Sequence, residues 1–320
     1  MANFKTNFKI NIPRTSTPYN FDYSLSHYVF QPWMVERKKL VRLYKTPNSN
    51  FLLLRVGFNK NKLDCELLSH SQIDNDDQDW IRNLVSFMFA VNEPVAEFYD
   101  EICAKDPVLK AASKEIYGAH LRRDATVFES VIGVIVAQNV FFKRIYKMLE
   151  LLCRNFGEKQ VFGGISYFTF PEPQVLANAK LGDIRACLVG YRDKYIKGVA
   201  EMIVKENLNL DELRNLSDVS KIREKLIELP GVGPYTADLV IAIGFSVPSF
   251  HLDLFTREVL YTFYFKGKKV SDEKLKRFVE ERWGRWKHYA MLLLTTNTDD
   301  WAKELGVEFR LKSAAKKRLE

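Results

Sequence analysis

The stretch of this 320-residue chain best suited to chemistry is SDVSKIREKLIELPGVGPYTADLVIAIGF, residues 217–245. An amphipathic helix there leads into Leu229-Pro230-Gly231-Val232-Gly233, and a second helix starts at Pro234. Glycine at 231 and 233 permits positive φ and lets the backbone approach another surface with no Cβ in the way. Proline suits a first helical turn, where its missing N–H would have no intrahelical partner. The amides of such a turn are free to point at a phosphate, and the dipole of the second helix favours the same charge. Leu229, Gly231, Val232 and Gly233 are therefore read as a sequence-independent anchor on DNA. The plainer alternative is a glycine-tight αα-hairpin that only packs, but the full string LPGVGPYTA is more specific than a bare Gly-x-Gly between helices.

LPGVGPYTAD resembles the helix-hairpin-helix of the DNA glycosylase superfamily (HhH-GPD), which includes endonuclease III, the AlkA alkyl-base glycosylases and the 8-oxoguanine DNA glycosylases. In that superfamily an aspartate follows the hairpin by about twenty residues, and Asp253 lies twenty after Gly233, in VPSFHLDLFTREV. The resemblance places Asp253 at the mouth of a base pocket, at the start of the helix LFTREVLYTF. Cleaving a glycosidic bond builds positive charge on the sugar, so a carboxylate held close stabilises it and orients or deprotonates the attacking water. A simple N-cap role is compatible with that one. Bifunctional members carry a nucleophilic lysine at the position of Tyr235. No lysine occurs between Lys225 and Lys266, so a monofunctional, hydrolytic glycosylase is expected. Tyr235 is read as a stacking wall for the extruded base or a contact to the sugar, against the alternative of an ordinary helix aromatic.

The resemblance runs from about Phe128 to Leu294. In VIGVIVAQNVFFKRI, Asn139 matches the asparagine that fills the gap beside the orphaned base in the 8-oxoguanine branch, and Arg144 matches an arginine that reads that base. GYRDKY offers Arg192 as a second arginine on it. Two guanidiniums and an amide suit the acceptors of a cytosine; as generic phosphate contacts they would carry no such information. WGRWKHYAMLLL resembles AlkA-type enzymes at least as well, so Trp286, Tyr289 and Met291 are assigned to a base pocket whose aromatic walls favour cationic alkylated bases. Core packing is the alternative for that stripe. The pocket residues of the 8-oxoguanine branch fall on Met291 and Thr295, and its N-terminal glycine has no counterpart near Ser26-His27-Tyr28. An alkylated purine is thus the first expectation, oxidised guanine opposite cytosine the second, and a non-catalytic DNA-binding protein the alternative of another class.

The elements that must hold these residues are mostly helical. Short runs between about residues 17 and 73, FDYSLSHYVF, LVRLY, NFLLLRVGF and KLDCELLSH, read as antiparallel strands. From WIRNLVSFMFAV onward the apolar spacing turns helical, with Ile81, Leu84, Val85 and Met88 on one face. The fold class expected is mainly α with an N-terminal antiparallel β-sheet domain (α+β). Its parts are a β-rich domain over 1–110, a helical glycosylase domain over 111–305 and a basic tail over 306–320. A hydrophobic share of 47% supports a sizeable core, and a net charge of +8 favours a polyanionic partner, here double-stranded DNA with a damaged base. Cys65, Cys103, Cys153 and Cys187 show no metal spacing, so no metal and no cofactor are expected beyond a structural monovalent cation at the hairpin. With no apolar run of membrane-span or signal-peptide length, an intracellular monomer of the cytoplasm and nucleoid, or of a nucleus, is expected.

Overall fold

The computed structural model describes residues 4–140 and 142–309, so most of the expected basic tail lies outside the described residues. Five antiparallel strands, β1 (Phe4–Asn11), β2 (Met34–Glu36), β3 (Lys39–Lys45), β4 (Phe51–Asn59) and β5 (Lys62–Ser69), form one sheet in the order β1-β5-β4-β3-β2. Two departures from the sequence reading stand out. FDYSLS is a short helix, Phe21–Ser26, because the Asn20 side chain accepts from the Tyr23 amide at 2.9 Å and starts a turn. The edge strand β1 lies upstream of the segment read as β and pairs with β5 from Phe4–Ser69 to Asn11–Lys62.

The run LVRLY does not alternate in polarity because β3 is buried on both faces. Leu40 and Tyr44 face helix α1 (Asn75–Met88), whose Ile81, Val85 and Met88 complete that core. Val41 and Leu43 face a two-stranded hairpin, β6 (Lys159–Phe162) and β7 (Ile165–Phe168), which contributes Phe162 and Tyr167. Gly163 and Gly164, both at positive φ, make the turn between β6 and β7.

Two helical cores follow. One is built from α2 (Val127–Ala137), α3 (Phe142–Phe156), α4 (Asp193–Glu206), α5 (Val219–Ile227) and α6 (Pro234–Gly244). The other joins α7 (Leu254–Tyr264), α8 (Asp272–Trp283) and α9 (Lys287–Thr295) to residues 95–119, so it is assembled from distant parts of the chain. Residues 120–125 run between all three cores. Arg123 donates to the carbonyls of Phe87 and Phe245, Arg122 to those of Ser24 and Tyr28, and Arg214 to those of Asp124, Ala125 and Gly244. The buried Arg42 on β3 meets Glu129 on α2 in a bidentate pair at 2.8 and 2.6 Å, fixing the sheet to the helical part. Among the described residues no helix is long and apolar enough to cross a membrane.

Candidate active site

The hairpin between α5 and α6 is held from inside by buried Leu229 and Val232. Gly231 has φ +77°, and a Cβ there would lie 2.4 Å from Cγ of Tyr195, so both backbone conformation and close approach require glycine. Gly233 differs: its φ is −91°, and a Cβ would meet nothing within 4 Å. Positive φ, expected at both glycines, is therefore found at Gly231 and not at Gly233, which borders open space at the N-terminus of α6. Gln138, the C-cap of α2, donates from Nε2 to the Gly231 carbonyl at 2.9 Å and to Oγ1 of Thr236 at 3.1 Å. These two bonds tie the hairpin to the turn that carries Asn139.

Beyond α6 the chain returns through residues 246–253 to start α7. Phe250 and Leu252 pack against the core of α7–α9. His251 and Asp253 alternate with them in sequence, and both are half-buried. Asp253 is the N-cap of α7: its Oδ1 accepts from the Thr256 amide at 2.7 Å, and its own amide donates to Thr256 Oγ1 at 2.7 Å. One carboxylate oxygen is thus held by the helix end, and among the described residues the other has no hydrogen-bond donor. The cap and the catalytic expectations for Asp253 are compatible, because the cap fixes where the second oxygen points.

Tyr235, in the first turn of α6, remains 39% exposed and meets the His251 ring edge-on, with centroids 5.5 Å apart at 81°. Burial and then the charge of Asp253 push its phenol up to about 12, so it stays protonated at neutral pH. Burial also lowers the His251 imidazole below its ordinary value, against the opposing pull of Asp253 and Asp238. Asp238 is itself engaged by Arg223 at 2.8 Å. The structure therefore gathers Asp253, Tyr235 and His251. The sequence reading missed His251, although its place two residues before Asp253 in an apolar-alternating segment was a usable signal.

The remaining assigned residues separate into two groups. Asn139 and Arg144 are exposed. Asn139 occupies a left-handed turn at φ +51°, with its Nδ2 3.5 Å from the Tyr191 hydroxyl. Arg192 is only 5% exposed and stacks on Tyr191 at 4.6 Å. Its Nε and Nη2 donate to the Gln138 carbonyl, the Nε bond at 3.1 Å, and its Nη1 donates to that of Val189 at 3.0 Å. With three of its five N–H groups on backbone and the side chain buried, the reading of Arg192 as a second arginine on the opposite base is corrected: it staples two loops. Beside it, Leu188 and Tyr191 are exposed, and neither was singled out from the sequence.

The aromatic pocket expected from Trp286, Tyr289 and Met291 is likewise corrected. All three are buried in the α7–α9 core, where Trp286 and Tyr289 pack on Phe98 at 5.9 and 5.7 Å. The Tyr289 hydroxyl accepts from the Leu121 amide and donates to Glu93, both at 3.1 Å. Packing on every side leaves these rings no face for a ligand. A different aromatic row reaches the surface: His27 stacks on Tyr23 at 4.6 Å, and Phe30 packs on Tyr146 at 4.5 Å. Between them stands Tyr28, in a left-handed conformation at φ +54°. Val29, Gln31, Lys143, Tyr146, Lys147 and Glu150 line an open cleft there. Lys197 on α4 is engaged within the chain, its ammonium donating to the carbonyls of Ala177 and Ala179 at 2.6 and 2.9 Å.

Comparison with known proteins gives this geometry its context. A probable N-glycosylase/DNA lyase of Methanothermobacter thermautotrophicus is 26% identical over 237 residues, 68% of this chain and 74% of that protein. The DNA-3-methyladenine glycosylase of Bacillus subtilis is 25% identical over 216 residues, 64% of this chain and 68% of that one. Among solved structures, a 3-methyladenine DNA-glycosylase from Archaeoglobus fulgidus superposes with a TM-score of 0.75 at 20% identity, covering 90% of this chain and 97% of that one. The 8-oxoguanine glycosylase/lyase of Clostridium acetobutylicum gives 0.66 at 20% identity, covering 87% and 100%. The family model described as HhH-GPD superfamily base excision DNA repair protein matches residues 132–285, the span that carries Asn139, the hairpin and Asp253. Residues 132–285 thus form a domain of the HhH-GPD base excision DNA repair kind.

Proposed function

We propose that this protein is a monofunctional DNA glycosylase that extrudes an N-alkylated purine from duplex DNA and hydrolyses its glycosidic bond, leaving an abasic site. The observation that carries the proposal is the pairing of Asp253 with Tyr235 where a nucleophilic lysine would have to stand. A phenol that stays protonated is no substitute for an amine nucleophile, so water must attack. Acting as a monomer wherever genomic DNA is kept, the protein would anchor a phosphate on the hairpin amides around Gly233. Extruding a nucleotide costs a few kcal/mol of stacking and pairing, and the exposed Asn139 would fill the gap. Asp253, pinned by Thr256, then stabilises the positive charge that grows on the sugar as the base departs. A cationic alkylated purine needs no protonation to leave, which matches a site whose two neighbouring ionisable side chains, Tyr235 and His251, favour a neutral phenol and a neutral imidazole.

A second reading, an oxidised-guanine glycosylase acting opposite cytosine, is favoured by the exposed pair Asn139 and Arg144. The experiment that tests both uses duplexes carrying 3-methyladenine, 7-methylguanine, 8-oxoguanine, hypoxanthine or uracil, each opposite a defined base. Release of the methylated purines by the wild type, with none by Asp253→Asn at unchanged DNA affinity, is the expected result. Release confined to 8-oxoguanine would replace the first reading with the second. Unchanged release by Asp253→Asn would remove the assignment of Asp253.

A further inference from the structure

We infer that His251 is the proton acceptor of the hydrolytic step, taking the proton that water gives up as its oxygen bonds to the sugar; this rests on the hydrolytic reading above. The first ground is position. His251 lies two residues before Asp253, while Phe250 and Leu252 hold the segment on the core. The Tyr235 ring meets it edge-on at 5.5 Å, and the Asp253 carboxylate is near enough to act on it electrostatically. Among the described residues its ring nitrogens have no hydrogen-bond partner within the chain.

The second ground is a division of labour. As the C1′–N bond breaks, its electron pair leaves with the cationic purine, which departs neutral, and C1′ carries the positive charge. Water then forms the C1′–O bond and must lose one proton. Were Asp253 to accept it, the carboxylate would lose the charge that stabilises C1′ while that charge is still needed. Tyr235 already holds its own proton. A neutral His251 accepts it without that loss, and the resulting imidazolium lies near the carboxylates of Asp253 and Asp238. Arg223 offsets part of the Asp238 charge, and Arg257 is turned to Asp272 at 2.8 and 2.7 Å. Burial keeps His251 neutral at physiological pH, as an acceptor must be. The proton then passes to solvent.

The test is single-turnover release of 7-methylguanine from a duplex by the full chain, with the rate followed from pH 5 to 8. The wild-type rate should fall as the pH drops below the ordinary imidazole value of 6.5. His251→Gln should lower the neutral-pH rate by about 10²-fold and remove that limb, with unchanged affinity for a duplex bearing a stable abasic-site analogue. His251→Ala should recover rate when imidazole is added, which a folding defect would not. A wild-type rate and pH profile in His251→Gln would overturn the inference, as would a slow variant that keeps the wild-type limb or one that imidazole does not rescue. A wild type that releases no base, or an Asp253→Asn variant that releases it normally, would instead defeat the hydrolytic reading itself and the inference with it.

Discussion

Arg192 donates two of its hydrogen bonds to the backbone carbonyl of Gln138, the residue immediately before Asn139. Gln138 in turn holds the hairpin through Gly231 and Thr236. One buried guanidinium therefore stands behind the relative placement of the exposed Asn139 turn, the Leu188–Tyr191 loop and the hairpin.

That arrangement separates two arginines that look equivalent in sequence. Arg192→Ala leaves the carbonyls of Gln138 and Val189 without donors and opens a cavity, so a loss of about 2–4 kcal/mol is expected, read as a lower midpoint in urea denaturation. Arg144→Ala, at an exposed position, should leave that midpoint unchanged and weaken DNA binding, with the slope of log affinity against log salt falling by about one. A stable Arg192→Ala that loses only its preference for the opposite base would contradict the staple role.

A second expectation concerns Asp124, in the segment that joins the three cores. Burial, and next the charge of Glu129, push its carboxyl up to about 7 from 3.8, against the pull of Ser130, Arg42 and Arg122. The folded chain then keeps a proton that the unfolded chain has already released. Between pH 3.8 and about 7 the unfolded state binds fewer protons, so stability falls as pH rises through that window and levels above it. The gradient contributed by this group cannot exceed about 1.4 kcal/mol per pH unit. In Asp124→Asn the fall should be shallower by that contribution, as measured by denaturant melts at several pH values. Parallel curves for the two proteins would show that Asp124 titrates normally.

What the sequence made legible follows from how local each feature is. The helices α5, α6 and α7 are read correctly because their boundary signals lie within or beside the segment, as with Pro234 in the first turn of α6. Asp253 was legible for the same reason: a cap residue sits beside the helix it starts. Arg192 and Tyr289 were misread because their roles depend on groups far away in the chain, the carbonyl of Gln138 and the pair Leu121 and Glu93. Gly233 was misread because sequence cannot tell a glycine needed for its φ from one that borders empty space. The β6–β7 hairpin, KQVFGGISYF, carried its own signal in Gly163-Gly164 between β-branched and aromatic residues, and passed unnoticed between two helices.

The position of Tyr235 allows the reaction type to be reversed by design. A lysine there would stand beside Asp253 in the first turn of α6, facing the sugar from the place the phenol now takes, and its amine could attack C1′ to give a Schiff base. Borohydride should therefore trap Tyr235→Lys on lesion DNA as a covalent adduct, and the wild type should give none. Because Asp253 favours the protonated ammonium and burial disfavours it, the amount trapped should rise with pH as more of the amine is free. Trapping of the wild type would mean that a lysine from outside this segment reaches the sugar. Lys143 and Lys147, which line the cleft beside Tyr146, are then the first to substitute, and loss of the adduct in one of them would name the nucleophile.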